Sequence, residues 1–172
     1  MFRVDPRSGF FDPPTPIIDV GESNDSSRCH CILPHPHNAS HFYVVDDGRN
    51  AVTHMELIYN PDLTKWSYIV RSMITIKSPR TLAFHPTVQG VMYVSQEEPN
   101  HVSVVRINEK TYRLESVAQT VSTLPTIGYL GVNAKPSHVD TDRMGKYLYV
   151  ANRDGSGSDV AANNMAVFRY VN

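Results

Sequence analysis

Cysteine is scarce: the chain has two, Cys29 and Cys31, in 172 residues. They stand one residue apart, so in a strand both point the same way and the link between them is too short for a mutual disulfide. A disulfide scaffold is therefore excluded. Two free thiols, and no apolar leader in MFRVDPRSGFF, predict a reducing, cytoplasmic setting. Charge of neither sign is in excess, with a formal net charge of −1 and 19% charged residues. No basic stretch alternates with aromatics, so the usual footprint of nucleic-acid binding is missing. No apolar run approaches the roughly 18 residues that would cross a bilayer, so no membrane span is expected. The sequence also lacks a Gly-rich phosphate loop before a helix, a Ser or Cys nucleophile motif, and any convincing helical pattern. What it has is 41% apolar residues, enough for one domain with a real core.

Those apolar residues recur in a repeat. The segments PHNASHFYVVDD (36–47), PTVQGVMYVSQE (86–97) and DRMGKYLYVANR (142–153) align, at offsets of 50 and 56 residues. A Tyr-Val pair falls at the same place in each: Tyr43-Val44, Tyr93-Val94 and Tyr149-Val150. An apolar run precedes each copy (31–33, 81–84 and, more weakly, 137–141) and a β-rich stretch follows it (51–59, 101–107 and 165–171). A fourth strand is expected near 65–75 and 113–122. Four-stranded units of about 40–50 residues are the signature of propeller blades. The predicted fold is all-β, a partial β-propeller of about three four-stranded antiparallel blades. Its blades run roughly over 28–76, 77–123 and 124–172, with 1–27 the remnant of a preceding blade. A plain β-sandwich would not require Tyr-Val every 50 residues.

Blade geometry then brings particular residues together. The first strand of a blade lies innermost along the channel and the second runs back beside it. The start of strand one and the end of strand two therefore share one face, near the channel mouth. Six residues before each copy stand His30, Arg80 and Pro136; four residues after each repeat Tyr stand Asp47, Glu97 and Arg153. A structural repeat needs no charge at these places, and five of the six are titratable. Such a ring would bind an anionic or carbonyl-bearing small molecule. The pattern alone is equally compatible with solvated turn residues.

Three other features have structural readings. His30, His35, His37 and His41, with Cys29 and Cys31, suggest a metal site at first sight. His35 and His37, however, flank Pro36 in a turn that His85-Pro86 repeats one blade later, and no second cluster has zinc-ligand spacing, so no metal is expected. Trp66 and the three repeat tyrosines are expected in the core between blades. The Gly-, Ser- and Asn-rich insert before the last strand reads as a surface loop.

The chain resembles the lactonase β-propeller family, which includes propeller-type 6-phosphogluconolactonases and fungal carboxy-cis,cis-muconate cyclases. The matching strings are SPRTLAFHP (78–86), YVSQEEPNHVSV (93–104), LESVAQTVSTLP (114–125) and GKYLYVANRDG (145–155), with HCILPHP (30–36) and YVVDDGRNAV (43–52) matching more loosely. The resemblance implies a catalytic set of one His, two Arg and one Glu, which falls on His30, Arg80, Glu97 and Arg153. Two departures accompany it. Ser27-Arg28-Cys29-His30 stands where the family usually has Pro-His-x-His, which puts Arg28 at the earlier His, and Ser137-His138 stands where the third blade usually has an acidic residue. Arg28, Asp47 and His138 are the expected substrate contacts.

The activity implied is hydrolysis of a sugar lactone such as 6-phosphoglucono-1,5-lactone, without metal or cofactor. Two alternatives are a carboxy-cis,cis-muconate cyclase-like isomerase and a non-catalytic interaction module. The expected partner is a small anionic lactone or carboxylate. The family closes seven blades in a chain about twice this long, and this one resembles only about three central blades. Such an arc exposes apolar faces and β-edges. A homodimer closing a ring would cover them; a fragment of a longer protein or a degenerate remnant would also account for the arc.

Overall fold

The computed structural model of the protein describes residues 7–8, 26–61, 65–124, 134–155 and 163–171. These contain no helix and eleven strands in three antiparallel sheets. The first sheet holds β1 (Cys29–His35), β2 (Asn38–Asp46), β3 (Ala51–Asn60) and β4 (Lys65–Thr75). The second holds β5 (Pro79–Phe84), β6 (Val91–Gln96), β7 (His101–Ile107) and β8 (Leu114–Ser122). The third, among the described residues, holds β9 (Ala134–Thr141), β10 (Tyr147–Asp154) and β11 (Asn164–Arg169). Spatial order follows chain order in each sheet, the meander of a propeller blade. The expected partial propeller is thus the observed architecture. The segment expected to be the remnant of a preceding blade, and the insert before β11, lie almost wholly outside the described residues.

Strand alternation gives each blade two different faces. From β2 and β3 the first sheet turns Tyr43, Val45 and Val52 toward the second sheet, where Leu82, Met92, Val94, Val105 and Ile107 receive them. The second sheet turns its opposite face, with Val91, Tyr93 and Val102, onto Val139, Leu148 and Val150 of the third. Each fully buried aliphatic side chain contributes roughly 1.5–3 kcal/mol, so these two layers carry the fold. The sheets meet most closely at their inner strands, β1 against β5 and β5 against β9.

Two core expectations are corrected. Tyr43 and Tyr93 are buried, whereas Tyr149 is half-exposed. It lies on the outer face of the third sheet with Tyr147, Met165 and Val167, where no described residue covers it. Trp66 belongs to neither of the two core layers formed by the described residues. It lies on the outer strand β4, its ring packed on Tyr59 with centroids 4.8 Å apart.

Candidate functional site

The start of each inner strand and the end of the strand beside it do meet at one end of the sheets. His30 is the second residue of β1, and Asp47 immediately follows β2. Arg80 is the second residue of β5, and Glu97 follows β6. Arg153 stands near the end of β10, paired in register with Lys135 of β9. Pro136 is buried and supplies no polar group there.

The side chains form one continuous chain of contacts across the three sheets. Arg28 Nη2 lies 2.8 Å from Asp47 Oδ2, and His30 Nε2 lies 3.9 Å from the same oxygen. Arg80 Nη1 is 3.2 Å from His30 Nε2 and 3.0 Å from Glu97 Oε1. Arg153 Nη2 donates to Glu97 Oε1 at 2.7 Å. Lys135 and Glu98 pair beside it at 3.4 Å. Three guanidiniums thus face Asp47 and Glu97, which leaves the mouth with surplus positive charge. His138, in contrast, is exposed opposite Ala151 in β9–β10 and stands outside this chain of contacts.

Protonation states follow from the partners. A guanidinium can only donate, so the contact from Arg80 requires an unprotonated Nε2 on His30. The longer approach to Asp47 is the weaker claim on that nitrogen. Burial pushes the Glu97 carboxyl up, but the hydrogen bond from Arg153 and the charges of Arg80, Arg153 and Lys135 outweigh it and hold the group below the usual carboxylate range. Glu97 is therefore a weak base. It fixes the two arginines, while His30 offers the lone pair.

Asp46, Gln96 and Asn152, three residues after each repeat Tyr, were missed from the sequence. Asp46 and Gln96 grip the residues that enter the blade's inner strand, and Asn152 grips the residue that leaves β8. Asp46 accepts from Arg28 N–H at 2.8 Å, Gln96 Nε2 donates to the Lys77 carbonyl at 2.9 Å, and Asn152 Nδ2 donates to the Thr123 carbonyl at 3.3 Å. The signal was a carboxyl or amide side chain in every copy, one position before the site residues themselves.

The histidine-rich segment serves turns and packing. His35 Nδ1 accepts from His37 N–H at 3.2 Å, and His85 Nδ1 accepts from Val88 N–H at 2.9 Å in the second sheet. Among the described residues no group of three or more His, Cys, Asp or Glu is placed to hold a metal. No helix among them is long and apolar enough to cross a membrane. A cleft of about 630 Å³ lined by His85, Met144, Lys146, Arg169 and Tyr170 lies at the opposite end of the strands, away from Arg28, Arg80 and Arg153.

Sheets of this order and a charged rim at the inner strands define the molecule as an arc of a β-propeller. The sequence model of the lactonase, 7-bladed β-propeller family matches residues 11–172, and the chain belongs to that family. No curated protein sequence matches it significantly. A protein of Lactobacillus plantarum is similar at 20% identity and TM-score 0.72 over 99% of this chain and 46% of that one. A putative 6-phosphogluconolactonase from Bacteroides uniformis is similar at 19% identity and TM-score 0.68, over 98% and 46%. The periplasmic gluconolactonase of Pseudomonas aeruginosa is similar at 19% identity and TM-score 0.66, over 98% and 45%. At these identities the likeness is one of fold. The chain spans a little under half the length of these structures.

Proposed function

We propose that this chain is a lactone hydrolase for a sugar lactone carrying an anionic group, such as 6-phosphoglucono-1,5-lactone. One observation carries the reading: Arg80 and Arg153, from different sheets, converge on a single oxygen of Glu97 while Arg80 also reaches His30. Family membership supports the same chemistry.

In the reaction, Arg80 turns from His30 Nε2 to the substrate carbonyl oxygen, and the freed Nε2 takes a proton from water as the water oxygen bonds the lactone carbonyl carbon. The carbonyl π electrons move onto its oxygen, and Arg80 and Arg153 offset that developing charge. Arg28, on the exposed rim, is left to hold the substrate's phosphate or carboxylate with Asp47 orienting it. Collapse of the intermediate breaks the ring C–O bond. The departing oxygen takes the proton back from His30, giving the hydroxy acid. A sugar lactone is intrinsically reactive, so this modest machinery suffices.

The test is hydrolysis of 6-phosphoglucono-1,5-lactone above its spontaneous rate, in wild type and Arg80→Ala. We expect the variant to lose about 10²–10³-fold in kcat, the usual cost of one oxyanion donor. Turnover of a carboxy-muconate instead of the sugar lactone would replace the reading with a cyclase. Two further proposals accompany it. A cytoplasmic location rests on the two free cysteines and is checked by cell fractionation. A second copy of the chain is the proposed cover for the outer face of the third sheet, because that face presents the repeat positions that already form both internal junctions.

A further inference from the structure

We propose that Asp46 is a positioning residue for the first-sheet arm of the site, its carboxylate holding residues 27–28 so that Arg28 and His30 stand against Asp47 and Arg80. The inference deepens the lactonase reading and rests on it where it concerns activity. Asp46 is 4% exposed, and three hydrogen bonds tie its carboxylate to this one segment and to its own turn. Ser27 Oγ donates to Oδ2 at 2.5 Å, Arg28 N–H donates to Oδ1 at 2.8 Å, and Arg49 N–H donates to Oδ1 at 3.1 Å. Arg49 Nε lies 3.7 Å from Oδ2. A second bond closes the same grip, from Asp47 N–H to the Arg28 carbonyl at 3.0 Å. The turn below is equally tight. A Cβ on Gly48 would overlap the Ser26 carbonyl, so only glycine lets the segment lie this close.

The residues so held are the ones whose placement the site needs. Arg28 has three links to this corner, its N–H on Asp46, its carbonyl on Asp47 N–H and its guanidinium on the Asp47 carboxylate. His30 follows two residues later in β1 and touches Arg80 across the junction. The matching residues of the other blades, Gln96 and Asn152, grip carbonyl oxygens with a neutral amide. Only the first sheet uses a carboxylate that accepts N–H and O–H groups. Hydrogen bonds to a charged acceptor are shorter and about twice as strong as neutral ones. The charged groups around Asp46 are Arg49, Arg28 and Asp47. Burial pushes its carboxyl up, but the bonds from Ser27, Arg28 and Arg49 prevail and hold it below the usual carboxylate value, so the grip is intact at neutral pH.

The test compares wild type, Asp46→Asn and Asn152→Ala by pH titration of backbone amide and imidazole resonances, with lactone hydrolysis measured alongside. In wild type the Arg28 amide resonance should follow a carboxyl titrating below the usual carboxylate range. In Asp46→Asn that inflection should vanish, the His30 ring resonances should move, and kcat/KM should fall about 10- to 100-fold, the scale of a misplaced catalytic group. Asn152→Ala should leave the His30 ring unmoved. An Asp46→Asn variant with the Arg28 amide and His30 ring as in wild type would overturn the proposal. If Asp46→Asn does not fold, Ser27→Ala removes one bond only. It should shift the His30 ring in a folded protein, and an unmoved ring there would overturn it too. If wild type hydrolyses no lactone, the functional reading fails while the resonances still decide the positioning.

Discussion

The junction between the first and second sheets and that between the second and third use the same repeat positions, yet they close differently. In the first, Tyr43, Val45, Val52, Met92, Val94 and Val105 are all 0% exposed, and Tyr43 OH also donates to the Tyr112 carbonyl at 2.6 Å. The second packs fewer buried residues, and Thr81 Oγ1 ties it by accepting from Val139 N–H at 3.1 Å. At the site end the order of strength reverses. The first junction is bridged by one guanidinium–imidazole contact, Arg80 to His30, and the second by an ion pair, Arg153 to Glu97. A site spread over both junctions thus has its apolar support on one side and its firmest charge pairing on the other.

Tyrosine substitutions break this comparison most directly. Tyr43→Ala leaves a large cavity in the sealed junction and removes the bond to Tyr112, which should cost about 3–5 kcal/mol. Tyr149→Ala, at the same repeat position on the outer face of the third sheet, should stay below ~1 kcal/mol. Urea unfolding of the two variants measures the gap. Equal losses would mean that the outer face is covered in solution as fully as the inner ones.

Acid should loosen the same junction first. His54 is 0% exposed, stacked on Tyr43 with its Nε2 3.0 Å from His41 Nδ1. Burial, chiefly, with the charges of His41, Arg113 and Arg71, pulls its imidazole down to about 4. Above the ordinary value of 6.5 neither folded nor unfolded chain takes the proton, so the contribution is fully present. Between 6.5 and about 4 only the unfolded chain takes it, so stability falls as pH drops through that window, by about 3 kcal/mol in all. Urea midpoints at pH 7 and 4.5 should show the loss in wild type and most of it gone in His54→Gln. The carboxylates of buried Asp46 and half-buried Glu97 act lower, where acid must first protonate groups held below the usual range.

The repeat made the fold legible. Tyr-Val at one position in three copies fixed strand phase, and phase fixed which ends meet, so His30, Asp47, Arg80, Glu97 and Arg153 could be placed together before any coordinates. Pairings were not legible, because which carboxylate oxygen meets which guanidinium depends on side-chain reach across blades. Asp46 escaped notice because an acidic residue beside Asp47 reads as turn chemistry until its buried bonds are seen. Trp66 misled for the opposite reason. A large aromatic predicts burial, but β4 is an outer strand and its ring finds Tyr59. His138 matched the mouth by position alone, and nothing in the repeat says that its side chain leaves the cluster for solvent.

The outer face of the third sheet sets the last and smallest test. Tyr147 is 41% exposed there, Val167 50% and Met165 60%, whereas Tyr93, the repeat counterpart of their neighbour Tyr149, is 6% exposed under the third sheet. An apolar strip of this kind is normal at an interface and a liability elsewhere. If a second copy covers it, light scattering should give twice the mass of one chain. Val167 pairs in register with Tyr149 at the centre of the strip, so Val167→Asp would bury a charge in that contact and return the monomer. Being exposed within one chain, the same change should move the fold by no more than about 0.5 kcal/mol. A wild-type chain that is already monomeric would sink the pairing and leave the two internal junctions as the only places where this repeat closes on itself.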